Sequence, residues 1–359
     1  MSDAAAPPAT SASLREKLFS VRPAVPWILL AVAAVAPFLL SPYDLNLLAR
    51  FLALAILALG LVLIWGHGGI LSLGQGVFFG LGGYVLAMHM KLAALPAGEI
   101  PDFLVWSGRD ALPWWWAPFT SSSVTVAAIL ILPTLVAALF AWSVFHRRVG
   151  GTYFALITQA LALAFATLLI SRQETTGGFN GLTDFSSLFG FELGDSGVIN
   201  ALYWTTLAIL VLAFAGLKAL LASRFGMLLR AMRDGENRVR FLGYSPTPFK
   251  VIAFAIAGML AGISGALFTV HAGVISPALV GVVPSIEMVI WVAIGGRYSL
   301  AGAIAGALLI NIARDNVSSA FPELWLYLMG LLFVGVVTLL PNGLAGLAST
   351  RPKFAKRPS

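Results

Sequence analysis

Ten apolar runs recur along this chain, at 25–41, 46–66, 69–90, 124–145, 153–171, 198–220, 250–272, 283–295, 299–313 and 324–341. Most approach the 20 or so residues that an α-helix needs to cross a hydrocarbon layer about 30 Å thick. Backbone polar groups find no water there, so a spanning segment must bond to itself as a helix or close into a barrel. Runs of this length favour the helix. The expected fold class is therefore all-α, a polytopic transmembrane helical bundle of about ten spans (nine to eleven). Charged residues make up 10% of the 359 residues and hydrophobic ones 59%, with a mean hydropathy of +0.92. A soluble domain carries roughly a quarter of its residues as charges.

Lysine and arginine set the orientation, because they concentrate in cytoplasmic loops. Arg15, Lys17 and Arg22 lie before the first run, Arg147 and Arg148 in "HRRVGG", five arginines in 221–249, and Arg351, Lys353, Lys356 and Arg357 at the end. Alternating spans put all of them on one side, with both termini cytoplasmic. The opposite loops carry Trp106, Trp114, Trp115 and Trp116, and an acidic stretch at 172–197. The net charge of +7 thus reports topology and not nucleic-acid binding. The chain divides into a flexible tail at 1–24, a transmembrane domain at 25–345 with a cytoplasmic loop at 221–249, and a basic tail at 346–359. The first run is read as a retained span and not a cleaved signal core, since many spans follow it without a clear cleavage site.

Some chemistry is excluded. Cysteine is absent, which removes disulfides, thiolate metal sites and cysteine nucleophiles. His67, His89, His146 and His271 are scattered singly, without the spacing of a metal site; no metal is expected. "LSLGQGVFFGLGGYVL" (71–86) superficially resembles an ATPase signature. It lies inside the third span, and no phosphate-loop Gly-Lys pair occurs anywhere, so this chain does not hydrolyse ATP by that route. Gly76 and Gly80 have GxxxG spacing, which puts both on one helix face and admits a neighbouring backbone.

Polar residues inside spans are costly and point to packing or to a path. Gln75, Gln159 and Glu287 are such residues, and Trp291 shares the face of Glu287 one turn on. Asn180 and Thr183, in the outer loop, are further candidates to meet a substrate, a binding protein or simply to shape a turn. Arg50, near an outer helix end, reads as a snorkelling structural residue.

The stretch "SRFGMLLRAMRDGENRVRFLGYSPTPFKVIAFAIAG" (223–258) begins amphipathic and basic, breaks at Gly235 and carries Phe241 and Leu242 beside charges of both signs. Glu236 and Arg240 stand four apart, a favourable helical pair. A loop serving topology alone needs only basic residues; this mixture suggests a short docking helix.

"RAMRDGENRVRFLGY…FKVIAFAIAGMLAGISGALF" and "GGILSLGQGVFFGLGGY" resemble the permease subunits of branched-chain amino acid ABC importers, over roughly residues 45–345. "TGGFNGLTDF" (176–185) and "SIEMVIWVAIGGRYSLAGAIAGALL" (285–309) look closest to the family's urea-transporting branch, with Phe179 and Tyr298 departing from its usual residues. The resemblance implies an inner-membrane transport subunit of a bacterium, not an enzyme, with an inverted repeat of spans two to five and seven to ten. It implies a coupling helix in which Arg233, Asp234, Glu236, Arg240 and Gly243 match the family segment. It also implies partners: a second related permease, two ATPase subunits that hold ATP and Mg, and a periplasmic binding protein, with no cofactor in this chain. Urea is the expected substrate, because a path for it needs neutral amides, hydroxyls and carbonyls. A branched-chain amino acid is the alternative; its zwitterion calls for helix N-termini or charges in the path, of which the sequence displays few. A channel or ion-coupled transporter acting alone would need paired mid-membrane carboxylates or bases, and only Glu287 qualifies.

Overall fold

The computed structural model describes residues 24–96, 99–108, 110–321, 324–339 and 343–348. The expected tails, apart from Ala24 and 346–348, lie outside the described residues, as do their basic side chains. The long helices are α1 (Ala24–Leu39), α2 (Pro42–Leu61, prolonged by a π-helical turn over Val62–His67), α3 (Gln75–Ala93), α4 (Ser122–His146) and α5 (Thr152–Ser171). They continue as α6 (Ser196–Ala222), α7 (Arg224–Phe241), α8 (Pro246–Ala272), α9 (Val282–Gly295), α10 (Leu300–Ala320) and α11 (Leu324–Leu339).

Among the described residues, eight helical segments are long and apolar enough to span a membrane. They are α2 with its π turn, α3, α4, α5, α6, α8, α9 with the turn that leads into it, and α10. The other two expected spans form α1 and α11, of 16 residues each, about 24 Å at 1.5 Å per residue. The ninth run was expected to be short, yet α10 has 21 residues. Asn311, Arg314, Asp315 and Asn316 end the apolar run but not the helix. The α9–α10 hairpin is therefore short only on the α9 side, with 14 residues.

Local signals explain the boundaries. Ser41 caps α2 by accepting the Asp44 amide, Asp195 caps α6 by accepting that of Gly197, and Ser299 caps α10 by accepting that of Gly302, each satisfying an orphan N–H. Two antiparallel two-residue pairs lie in the loops. β1 (Leu182–Thr183) pairs with β4 (Val274–Ile275), and β2 (Ser187–Leu188) with β3 (Phe191–Glu192).

Helices α2, α3 and α8 form the centre. Their apolar windows are 83%, 78% and 67% buried, whereas those of α4, α5 and α6 are 28% buried. Lipid is as apolar as leucine, so close packing and not water avoidance must hold such a centre together. Glycine supplies it. A Cβ on Gly82 would strike the Gly262 carbonyl, and one on Gly265 would strike the Phe79 carbonyl, so α3 and α8 meet backbone to backbone. Around the crossing, Phe254 of α8 packs edge-on against Phe78 and Phe154, with centroids 5.5 and 5.4 Å away. Polar pins complete the centre. Ser264 donates to the Ala53 carbonyl at 2.7 Å, and the His271 ring bridges Asn46 and Thr206. Tyr203 ties α6 to α1 by donating to the Ala33 carbonyl at 2.6 Å. Arg50 does not snorkel freely: its guanidinium lies 5.8 Å from the Phe268 ring centroid.

Gly265→Val would push a side chain into the Phe79 carbonyl, and overpacking of this kind costs about 1–3 kcal/mol. The detergent-solubilised variant is expected to melt several degrees below the wild type by scanning fluorimetry. Gly216→Val on α6, where a Cβ meets open space, is expected to melt with the wild type. Equal melting of all three would remove the crossing from its central place.

Candidate functional site: a junction of helix N-termini and a cytoplasmic helix

Two regions gather the candidate residues. The first is the junction where α3 and α9 begin. Chain direction there follows from contacts. Ile275, Val280 and Ser285 lie against Gly83, Gly80 and Gly76 in turn, so the segment entering α9 runs antiparallel to α3. The far end of α9 reaches the cytoplasmic end of α2, where a Cβ on Gly66 would meet the Arg297 carbonyl. From the junction, α3 therefore runs outward and α9 inward, and the first turns of two helices lie side by side.

Gly76 and Gly80 do share a face, as their spacing requires. What they admit is the Val280 segment, backbone at Gly76 and side chain at Gly80. The neighbouring hydroxyls are committed to the backbone. Ser285 accepts the Gly76 N–H at 3.2 Å and donates to the Gly281 carbonyl at 2.9 Å. Thr158 of α5 accepts the Leu73 N–H at 3.0 Å and donates to the Ala155 carbonyl at 2.8 Å. Gln75, the first residue of α3, differs. It is 1% exposed, and neither its Oε1 nor its Nε2 has a hydrogen-bond partner. An unsatisfied buried polar group costs about 1–3 kcal/mol. Gln159, next to Thr158 on α5, is half-buried.

Glu287 is buried on α9, and the structure gives it a counter-ion. Arg314 of α10 donates from Nη1 to its Oε2 at 2.6 Å, with side-chain exposures of 43% and 6%. The pair clamps the α9–α10 hairpin. The sequence reading missed Arg314 because it lies one residue beyond the ninth apolar run. Trp291 is 3% exposed and packs in the same hairpin, where a Cβ on Gly306 would meet its carbonyl. Asn180 is exposed and Thr183 half-buried in the outer loop. Gly177, Gly178, Gly181 and Asp184 all adopt positive φ there, and Thr183 donates to Asp184 at 2.9 Å. These residues shape a turn that β1 fastens to β4, apart from the Gln75 junction.

The second region is the cytoplasmic helix α7. Gly235 is non-helical (φ −172°, ψ 75°), so the expected break divides it in two. Before the break, Arg233 bonds Asp234 from Nε at 2.8 Å and the Gly66 carbonyl from Nη1 at 2.7 Å. Its guanidinium also lies 5.2 Å from the Tyr298 ring centroid. Arg233 thus joins α7 to the end of α2 and to the α9–α10 turn. After the break, Glu236 accepts from Arg240 at 2.7 Å and from Lys250 at 2.5 Å, which joins α7 to α8. Gly243 (φ +87°) closes the helix: its N–H reaches the Arg240 carbonyl, and that of Tyr244 reaches the Val239 carbonyl. This is the glycine-dependent Schellman closure. The five matched residues therefore build and anchor the helix, and its exposed tip is Phe241 and Leu242, 91% and 76% exposed. Behind α7 lies a cavity of about 460 Å³ lined by Gly69, Leu71, Thr152, Arg297 and Tyr298 among others.

Partial burial tends to raise the Glu236 pKa, but the bonds and charges of Lys250 and Arg240 outweigh it and hold the carboxyl below its ordinary value of 4.5. A carboxylate depressed in the folded state adds stability above its unfolded pKa, and that stability is lost as pH falls through the lower folded value. Wild type is expected to melt above Glu236→Gln at pH 7, with the gap closing only below the ordinary carboxylate range. A gap that is unchanged down to the folded pKa and beyond would deny the ion pairs a role.

The Glu287 clamp yields a second expectation. Removing Arg314 would leave the buried Glu287 carboxylate without its counter-ion, and a buried charge without its partner is destabilising. Arg314→Ala is expected to lose more thermal stability than the Glu287→Gln/Arg314→Gln double variant, which strands no charge. The reverse order would show that the pair clamps nothing.

Among the described residues, no group of three or more His, Asp or Glu is placed to hold a metal ion. No solved structure is matched significantly by this chain. The chain is 27% identical to the high-affinity branched-chain amino acid transport system permease protein LivM of Salmonella typhimurium, over 97% of this chain and 79% of the relative. It is 22% identical to BraD of Pseudomonas aeruginosa, over 84% and 93% of the two chains, and 26% identical to LivH of Salmonella typhimurium, over 84% and 92%. Residues 44–337 match the family model described as the branched-chain amino acid transport system permease component. Together with the all-α spanning architecture, this match places the chain in the branched-chain amino acid family of ABC transport permeases, multi-pass proteins of the bacterial inner membrane that are not themselves catalytic.

Proposed function

We propose that this chain forms one half of the membrane path of an ABC importer for branched-chain amino acids. It would work with a second related permease, two ATPase subunits that carry ATP and Mg, and a periplasmic binding protein. The observation that carries the importer reading is the cytoplasmic helix α7. Its tip exposes Phe241 and Leu242, while its base is tied to α2, to α8 and to the α9–α10 turn. A helix with an apolar tip and three anchors is suited to receive a rigid-body displacement and pass it into the bundle. Exposed apolar residues of this kind mark interaction sites.

The likeness to LivM over nearly the whole chain supports amino acids as the substrate class. So does the α3–α9 junction, because helix N-termini carry partial positive charge suited to a carboxylate. The path would cross the membrane at that junction and open into the cavity behind α7; Gly69 and Leu71 line the cavity, and Gln75 stands four residues beyond Leu71. Urea is a second reading. The segments at 176–185 and 285–309 favour it, as does the neutrality of the polar side chains at the junction: Ser72, Gln75, Thr158 and Ser285.

Deleting the gene and measuring uptake of labelled leucine and labelled urea at low micromolar concentration separates the two. Leucine uptake is expected to collapse; loss of urea uptake alone would turn the assignment to urea. Re-expressed Phe241→Asp/Leu242→Asp, matched to wild type in amount, is expected to restore less than about a tenth of the lost uptake. Full restoration would remove α7 from coupling.

A further inference from the structure

Among the buried side chains described at the α3–α9 junction, the amide of Gln75 is the polar group that no protein partner meets. Thr158 and Ser285 each accept one backbone N–H and donate to one carbonyl, and Ser72 accepts the Gly74 N–H at 3.4 Å. Gln75 is as buried as they are, yet both of its polar atoms lack partners. Such groups are rare in native interiors and need an explanation. Its position supplies one. It sits where α3, of 19 residues, and α9, of 14 residues, bring their N-terminal turns together, so two partial positive charges converge on one place.

We infer that Gln75, with the paired N-termini of α3 and α9, forms a recognition point for the oxygen pole of the transported molecule, the carboxylate of a zwitterionic amino acid. This rests on the amino-acid importer reading and gives it a location. Nε2 offers two donors to a carboxylate and Oε1 an acceptor to the neighbouring ammonium. The glycines on either side serve the same purpose. A Cβ at Gly74 would run into the Thr158 carbonyl and one at Gly76 into the Val280 carbonyl, so α5 and the segment entering α9 pack closely on the backbone either side of Gln75. Discontinuous helices whose N-termini meet an anionic substrate group are a general solution for binding within a membrane. A neutral amide suits transit better than arginine would, because a passing substrate must also leave.

The test uses the complete importer in proteoliposomes, with both permeases, the ATPases and the binding protein. It compares wild type with Gln75→Leu and Gln75→Glu, measuring uptake of labelled leucine and, separately, the ATP hydrolysis stimulated by leucine-loaded binding protein. Gln75→Glu sets like charge against a carboxylate and is expected to cut uptake by at least about tenfold. Gln75→Leu keeps the volume, loses the hydrogen bonds and is expected to lower uptake severalfold. Stimulated hydrolysis should stay within about twofold of wild type in both, since α7 is untouched. Undiminished leucine uptake by Gln75→Leu would overturn the recognition point. Loss of stimulated hydrolysis in step with uptake would also overturn it, by showing that Gln75 supports the fold or the coupling. Labelled urea is run in parallel. A wild-type importer that carries urea and no leucine would overturn the amino-acid reading together with the carboxylate assignment, whereas a site failure leaves wild-type leucine transport intact.

Discussion

Everything else in this molecule depends on the backbone-to-backbone crossing of α3 and α8. Within a bilayer there is no water to drive apolar faces together, so the helices at the centre must gain by approaching closely. Gly82 and Gly265 remove the atoms that would prevent it. The crossing fixes α3 against α8, and α2 is then pinned to α8 by Ser264 and by the Asn46–His271 pair. With α2, α3 and α8 locked, α5 packs on them through the Phe78–Phe154–Phe254 cluster, α4 through Phe140 against Phe254, and α6 through Thr206 against His271. The interaction is steric and short-ranged, and it tolerates no enlargement.

A centre held by glycine can also be interrupted. Helix α2 ends in a π turn at His67, and Gly69 takes φ +68°, with its backbone so close to the Arg233 side chain that a Cβ would crowd it. The chain then runs unwound to Gly74 before α3 begins. The second half follows the same plan: α8 ends at Ala272, Gly273 takes φ +66°, and an irregular segment leads to α9. The order long helix, break, shorter helix thus appears once in each half. Irregular backbone at membrane depth survives only where protein or a cavity surrounds it. The breaks are therefore costly, and both converge on the one junction that holds an unused amide.

The spans were legible because hydropathy reports burial in lipid directly. Run length marked every long apolar helix, but among the described residues eight of the ten runs, and not all ten, form helices long and apolar enough to span. Helix α10 shows where that reading stops: Asn311, Arg314 and Asp315 end the hydropathy signal, but the helix continues because Arg314 answers Glu287 across the hairpin. A partner in space leaves no mark in local composition. The GxxxG of Gly76 and Gly80 was visible, whereas the tighter contacts made by Gly82 and Gly265 were not, since spacing on one helix cannot say which neighbour arrives. The sequence displayed few helix N-termini for a zwitterion. The structure brings two together at Gln75, through a reversal of direction between α3 and α9 that only the tertiary arrangement reveals.

The same logic recasts the cytoplasmic helix. Of the matched residues, Arg233 and Glu236 bond across to the bundle, whereas the Asp234 side chain stays 68% exposed. Arg233 reaches the Gly66 carbonyl, where the C-terminal end of α2 presents partial negative charge. Glu236 reaches Lys250 at the start of α8, and Gly243 turns the chain so that Phe241 and Leu242 face outward. The apolar tip is thus tied to the bundle at three places: the inner ends of α2 and α8, and the α9–α10 turn. Helices α2 and α8 are the ones that precede the two breaks. In the proposed importer, a displacement of α7 would pass through these anchors to the irregular segments, and so to the spacing between α3 and α9.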